Sequence, residues 1–175
     1  MIELWTDGSC KNNGKDNPRG GWAFIFKSED NGEYWAYGNY NEKNVTNNIM
    51  EIKAILYGLN FIKSQNIMPD IKINVYSDSA YILNCYKQQW YKSWIKNGWK
   101  TANKKPVKNK ELWKELIKYF DMSNIHFNKV PGHCGVQYNE YVDSMAQCAA
   151  QELRYNNLAF NTKENETKLV FHKVR

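Results

Sequence analysis

The sequence predicts an α/β fold with one mixed five-stranded sheet, an antiparallel meander followed by parallel strands, flanked by helices. Three observations predict it. Short strand-like runs near the N-terminus are punctuated by turn dipeptides. From Asn47 onward the apolar residues recur at helical spacing. Two later strand-like runs, 71–76 and 125–130, stand isolated between helical segments. Strands separated in this way are joined by right-handed crossovers and lie parallel.

Residues 2–6 read as the first strand, ending at Asp7-Gly8-Ser9. The polar loop 10–20 carries Asn12-Asn13-Gly14 and Asn17-Pro18, both turn signals. Residues 21–26 and 33–40 read as strands two and three, with Asn31-Gly32 as the hairpin turn. Ile52, Ile55, Leu56, Leu59 and Ile62 predict an amphipathic helix over 47–63. Ile71, Ile73 and Val75 alternate with Lys72, Asn74 and Tyr76, a strand ending near Ser77-Asp78. A short helix follows over 79–86. The segment 90–99 is aromatic and basic, and the spacing of Trp90, Trp94 and Trp99 suits one helix face. Residues 110–120 are helical, with Leu112, Trp113, Leu116, Ile117 and Phe120 on one side. A fifth strand occupies 125–130 and a last helix 138–153, with Tyr141, Val142, Met145 and Ala149 apolar. A single folded unit is thus expected over 1–153. A polar, loosely ordered tail is expected over 154–175, although 168–174 alternates weakly, as a strand does.

Composition narrows the function classes. A chain of 175 residues with 42% hydrophobic and 15% aromatic content can bury a core, which excludes wholesale disorder. A net charge of +6 suits a polyanionic partner, though charge alone does not select one. Cys10, Cys85, Cys134 and Cys148 form no C-x-x-C pair, so no structural zinc site is expected. They read as free thiols of a reducing compartment, here the cytoplasm. The opening MIELWTDGS has neither a basic nor an apolar leader region, so no signal peptide is expected. No apolar run reaches the roughly 18 residues of a membrane span, and no membrane association is expected.

Four carboxylates stand where this architecture gathers ligands. Asp7 and Asp78 end the first and fourth strands, natural neighbours at the sheet centre. Glu51 lies in the first turns of the following helix, and Asp143 on the last helix. Any single acid among the 18 carries little information. Clustered, they repel one another, and a cation relieves the repulsion. All-oxygen ligands suit a hard ion, Mg2+ or Mn2+.

The local motifs are similar to those of the type I cellular ribonuclease H family. Thr6-Asp7-Gly8-Ser9-Cys10 resembles the opening motif, Thr46-Asn47-Asn48-Ile49-Met50-Glu51 the second, and Tyr76-Ser77-Asp78-Ser79-Ala80-Tyr81 the third. Val130-Pro131-Gly132-His133 followed by Asn139, Glu140 and Asp143 resembles the fourth. Residues 98–109, GWKTANKKPVKN, resemble the basic segment of bacterial members. The match runs in order over about 1–150.

The resemblance implies a ribonuclease H-like fold and an endonuclease that hydrolyses the RNA strand of RNA–DNA hybrids. Two Mg2+ ions, replaceable by Mn2+, would do the work and leave 5′-phosphate and 3′-hydroxyl ends. Asp7, Glu51 and Asp78 would hold one ion, and Asp7 with Asp143 the second. His133, on a mobile loop between Gly132 and Gly135, would assist proton transfer and product release. Asn47 and Asn48 would contact the hybrid in its minor groove, with Cys10 nearby, where the 2′-hydroxyl marks RNA. Thr46, Lys108 and Asn109 would hold a DNA-strand phosphate, and Thr46 and Asn47 also suit helix capping. Lys96, Lys100, Lys104 and Lys105 would form a handle on the phosphate backbone, with the tryptophans between them packed inward. A monomer is expected.

This chain departs from the pattern in three places. The loop after Cys10 is longer, so Asn13 and Asn17 compete as the substrate-contacting asparagine. Asn17 is favoured because Pro18 follows it. Ala80 stands where many relatives have a polar residue, often glutamine, and the resemblance leaves open whether a contact to the RNA strand is lost. Ile49 replaces a commonly basic one. Rival readings are a catalytically dead hybrid-binding module, a transposase or resolvase on the same fold, and a domain cut from a reverse transcriptase. The intact carboxylates, the lysine-rich handle and the Met1 start weigh against these three in turn.

Overall fold

The computed structural model describes residues 1–40, 42–67, 71–132, 135–153, 155 and 172–174. In chain order the elements are β1 (Ile2–Lys11), β2 (Arg19–Ser28), β3 (Gly32–Tyr40), α1 (Asn47–Ser64), β4 (Ile73–Ser77), α2 (Ala80–Gln88), α3 (Trp90–Lys96), α4 (Lys110–Phe120), β5 (Ile125–Lys129), α5 (Gln137–Ala150) and β6 (His172–Val174). The sheet order is β5-β4-β1-β2-β3-β6. The β1-β2-β3 meander is antiparallel, and β4 and β5 add to β1 in parallel, as expected. The three residues of β6 pair antiparallel with the outer edge of β3 and make a sixth strand. This is the end of the weakly alternating stretch. The rest of the expected tail, apart from Tyr155 near its start, lies outside the described residues.

Period-two alternation divides the sheet between two helical layers. Ile2, Leu4, Phe24, Phe26, Ile73 and Val75 face one way and pack with α1, α2 and α4. Ala23, Ile25 and Trp35 face the other way and pack with Val142, Met145 and Ala146 of α5. Glycines let both layers close on the strands. A Cβ on Gly8 would fall within 3.0 Å of the α1 backbone at Met50 and Glu51. One on Gly21 would strike the α5 backbone at Ala146 and Ala150. β1 is therefore held between α1 on one side and α5, which also packs on β2, on the other.

Local signals explain the boundaries. Thr46 caps α1, its hydroxyl accepting from the Ile49 amide at 3.3 Å. Ser79 caps α2 in the same way through the Ile82 amide. The β2–β3 hairpin turns through residues 29–31 and Gly32, whose φ of 82° suits glycine. Two sequence expectations need correction. β1 does not end before Asp7 but continues to Lys11, because β2 stays paired with it throughout. Trp99 does not continue the helix of Trp90 and Trp94. α3 stops at Lys96, and Gly98 and Trp99 both adopt left-handed φ values, 64° and 62°, that turn the chain away.

Candidate active site

The site forms where β1 and β4 part. Their parallel pairing ends at Trp5–Tyr76, and both strands run on beyond it. Asp7 follows on β1, and Asp78 follows the last residue of β4. On the opposite flank, the close approach of Gly8 to α1 sets Glu51 beside Asp7. Carboxylate oxygens of Asp7, Glu51 and Asp78 all lie within 4.8 Å of one another. Asp7 is only 5% exposed. Glu51 Oε2 is buried and has no hydrogen-bond partner.

The electrostatics follow from this crowding. Burial, then the Asp78 and Asp143 carboxylates, push the Asp7 carboxyl well above the usual range. Burial, then Asp7 and Asp78, do the same to Glu51. The Gly8 backbone amide bonds both groups and opposes the rise only in part. Three converging carboxylates, one of them with a buried oxygen that has no partner, make a donor set that a hard divalent cation completes. Asp143, on α5, acts on Asp7 from the other helical layer, with Gln147 Nε2 donating to its Oδ1 at 2.7 Å. The structure thus brings together the four carboxylates singled out in the sequence.

His133 lies outside the described residues, but both ends of its loop are fixed. A Cβ on Gly132 would sit 3.0 Å from Asp78 Oδ2. At the other end, the Gly135 amide, in a left-handed turn, donates to Glu140 Oε1 at 3.1 Å. The loop therefore starts against the carboxylate site and ends on α5.

Around the α1 N-terminus, Asn47 and Asn48 are exposed and Thr46 is half-buried. The buried Cys10 thiol donates to the Val45 carbonyl at 3.5 Å, so Cys10 adjoins this terminus. The two loop asparagines are placed differently. Asn13 Oδ1 accepts from the Asn47 amide at 3.2 Å. Asn17 adopts a left-handed φ of 51°, and its carbonyl accepts from the Asn12 side chain. Asn17 and Thr46 line one cleft of about 1150 Å³ between the β1–β2 and β3–α1 loops. The bond from Asn13 to α1 was not legible in the sequence, where Asn17 had the better motif context.

Lys96, Lys100, Lys104, Lys105 and Lys108 are all exposed, while Asn109 is half-buried at the start of α4. Lys100 bridges Pro106, and the Val107 amide donates to the Trp99 carbonyl at 3.0 Å, closing 99–107 into a compact loop. Trp94 is buried against Trp113, with ring centroids 5.3 Å apart, and Trp99 lies 6.2 Å from Trp94. The tryptophans thus anchor a segment whose lysines face solvent. Ala80 opens α2 and is exposed.

The model of the RNase H family matches residues 1–151. The chain is 38% identical over 157 residues to a ribonuclease H of Clostridium botulinum, covering 86% of this chain and 96% of that one. It is 39% identical over 152 residues to a ribonuclease H of Chlorobaculum parvum, with the same coverage. Among solved structures it resembles LC9-RNase H1, a type 1 RNase H with the type 2 active-site motif. The TM-score is 0.70 at 23% identity, over 87% of this chain and 73% of that one. It also resembles LC11-RNase H1, solved with an RNA/DNA hybrid, with a TM-score of 0.60 at 20% identity over 87% and 98% of the two chains. At these identities the two structures speak for the fold.

Proposed function

The chain belongs to the RNase H family, and from that premise we propose that it is an endonuclease cutting the RNA strand of RNA–DNA hybrids to leave 5′-phosphate and 3′-hydroxyl ends. The observation that carries the proposal is the carboxylate triad, oxygens of Asp7, Glu51 and Asp78 within 4.8 Å of one another. Repulsion of that strength suits cation binding better than any structural role. Asp7, Glu51 and Asp78 would hold one Mg2+, and Asp7 with Asp143 a second, with Mn2+ an acceptable substitute. Bound there, such ions supply an activated water and neutralise charge on the phosphate.

The remaining roles belong to the chain's own groups. Asp7 is the residue common to both ion sites. Asn47 and Asn48, exposed on the first turn of α1, are available to the hybrid's minor groove, with Cys10 beside them. The N-terminal end of α1 favours the phosphate-rich ligand they meet. Thr46, Lys108 and Asn109 would hold a DNA-strand phosphate. The hydrogen bond of Asn13 to the Asn47 amide favours Asn13 as the loop asparagine nearest that groove, while Asn17 faces the cleft shared with Thr46. His133 would exchange a proton at the leaving oxygen or the attacking water. Lys96, Lys100, Lys104 and Lys105 would grip the backbone without reading bases. The proposal includes a monomer acting in the cytoplasm, with residues 1–153 as the catalytic unit and the rest as a tail. No described helix is long and apolar enough to cross a membrane.

A substrate panel tests this reading. Hybrid, duplex DNA and duplex RNA, end-labelled, are incubated with the protein in Mg2+ and in EDTA. Cleavage of the hybrid alone, in its RNA strand, only with Mg2+ and with 5′-phosphate ends is expected. Equal cleavage of duplex DNA, or cleavage in EDTA, would reject it.

A further inference from the structure

Tyr138 and Tyr141 mark the flank of α5 that lies over β2 and β3. The Tyr138 hydroxyl donates to Glu33 at 3.2 Å, and the Tyr141 ring lies 5.1 Å from that of Trp35. Asp143 belongs to the other flank, which looks toward Asp7 on β1. Residues four apart on a helix are stacked neighbours, so Asn139 and Gln147 bracket Asp143 along that flank. Gln147 uses its amide nitrogen on Asp143 Oδ1, at 2.7 Å. Asn139 is 3% exposed, and its Oδ1 is buried with no hydrogen-bond partner. Buried carboxamide oxygens are nearly always bonded, and an apolar side chain of this size avoids the desolvation cost. The Val130–Gly132 segment runs from the end of β5 to Asp78 just before α5 begins, so the first turn of α5, which carries Asn139, follows a loop that starts against the carboxylate site.

We propose that Asn139 is a positioning residue of this site, its carboxamide oxygen accepting a hydrogen bond from an O–H that enters with the hydrated cation or with the ribose of the substrate. The inference rests on the function proposed above. Gln147 and Asn139 then divide the work around Asp143: one amide donates to the carboxylate, and the other accepts from the hydroxyl beside it. A neutral acceptor suits the place. A further carboxylate there would add to the repulsion that Asp7 already bears from Asp78 and Asp143.

The test uses Asn139→Leu and Asn139→Asp. Magnesium affinity is measured by calorimetry on the hybrid-free protein, and unfolding is followed in EDTA. Affinities for hybrid and for duplex DNA are measured in an Asp7→Asn background, to prevent cutting. Asn139→Leu is expected to unfold at the same temperature as wild type or higher, since it removes an unpartnered acceptor. If the O–H belongs to water on the cation, Mg2+ affinity falls about 10-fold or more. If it belongs to ribose, Mg2+ affinity holds and the preference for hybrid over duplex DNA falls instead. Either result supports the proposal, and both quantities unchanged would overturn it. Should Asn139→Leu fail to fold, Asn139→Asp decides, because it keeps the acceptor and the shape. It should preserve the quantity at issue, although its charge destabilises the fold in EDTA through the repulsion described above, whereas loss of that quantity would assign the role to the amide N–H and overturn the proposal. A loss of Mg2+ affinity in a protein whose wild type cuts no hybrid would instead reject the function and leave Asn139 as a metal-site residue.

Discussion

Gly8 and Glu51 are in backbone contact: a Cβ on Gly8 would fall within 3.0 Å of the Glu51 amide nitrogen. That contact brings α1 down on β1 and sets the Glu51 carboxylate beside Asp7. Gly8→Ala should therefore separate the two carboxylates as well as strain the core. Overpacking of this kind costs about 1–3 kcal/mol. Because the obstructing atoms are backbone, the strain cannot be relieved by a rotamer change. Urea unfolding should show the stability loss, and Mg2+ affinity measured on the folded variant should fall with it. Normal Mg2+ affinity in Gly8→Ala would show that the α1–β1 contact does not set the site.

The four carboxylates, the meander and the crossovers were legible because they depend on local pattern. Glu51 and Asp143 sit on helices that periodicity identifies, Asp78 directly follows β4, and Asp7, though inside β1, stands beside turn-like residues that mark it out in the sequence. What escaped the sequence depends on contacts between distant segments. Nothing near Asp7 announces that β2 would extend β1 to Lys11. Tryptophan is a poor guide to left-handed backbone, so Trp99 read as helical although Gly98 stood just before it. Asn13 reaches Asn47 across 34 positions through a loop whose length alone was visible. Asn139 was visible as part of a motif, but only burial exposes its unpartnered oxygen.

The carboxylate cluster predicts an inverted pH dependence for the metal-free protein. Burial and neighbouring acids raise Asp7 and Glu51 well above the usual range, so the folded state holds protons that the unfolded chain has released. The associated stability is fully present below the unfolded carboxylate pKa of about 4 and is lost as pH rises through the raised values. In EDTA, stability should therefore fall from pH 5 to pH 8, and Mg2+ should restore it by about 2.7 kcal/mol at 100 times its Kd. Asp7→Asn should flatten the pH dependence, abolish the Mg2+ increment and stop cleavage while preserving hybrid binding. Near-normal turnover of Asp7→Asn in Mg2+ would exclude Asp7 as the shared ligand.

The exposed lysines predict a uniform effect on affinity. Replacing Lys96, Lys100, Lys104 and Lys105 together with Gln should weaken all hybrids about equally. The slope of log affinity against log salt should become shallower by nearly one for each phosphate that is no longer neutralised. The fold should be unaffected, since the segment is anchored by Trp94 against Trp113 and not by its lysines. Fluorescence titrations at several salt concentrations with hybrids of different sequence provide the check. A loss confined to some base sequences would mean that the segment reads bases.

The loop between Gly132 and Gly135 predicts a different role for His133 from that of the carboxylates. Gly132 packs against Asp78, and Gly135 is tied to Glu140, so the described ends of the loop that carries His133 border the carboxylate site and α5. A positioned acid or base contributes about 10²–10⁴-fold, whereas losing a cation ligand removes the activated water altogether. His133→Ala should accordingly slow turnover by that factor yet keep measurable, Mg2+-dependent cleavage. The effect should fall on kcat and spare KM, because a loop side chain adds little to ground-state binding. It should also remove part of the pH dependence of kcat between about 5 and 8, where an ordinary histidine titrates. Steady-state kinetics of both proteins on one hybrid across that range separate the outcomes. Inactivity equal to that of Asp7→Asn would make His133 part of cation or water assembly. Full activity would mean that the loop bordering Asp78 carries no catalytic group at all.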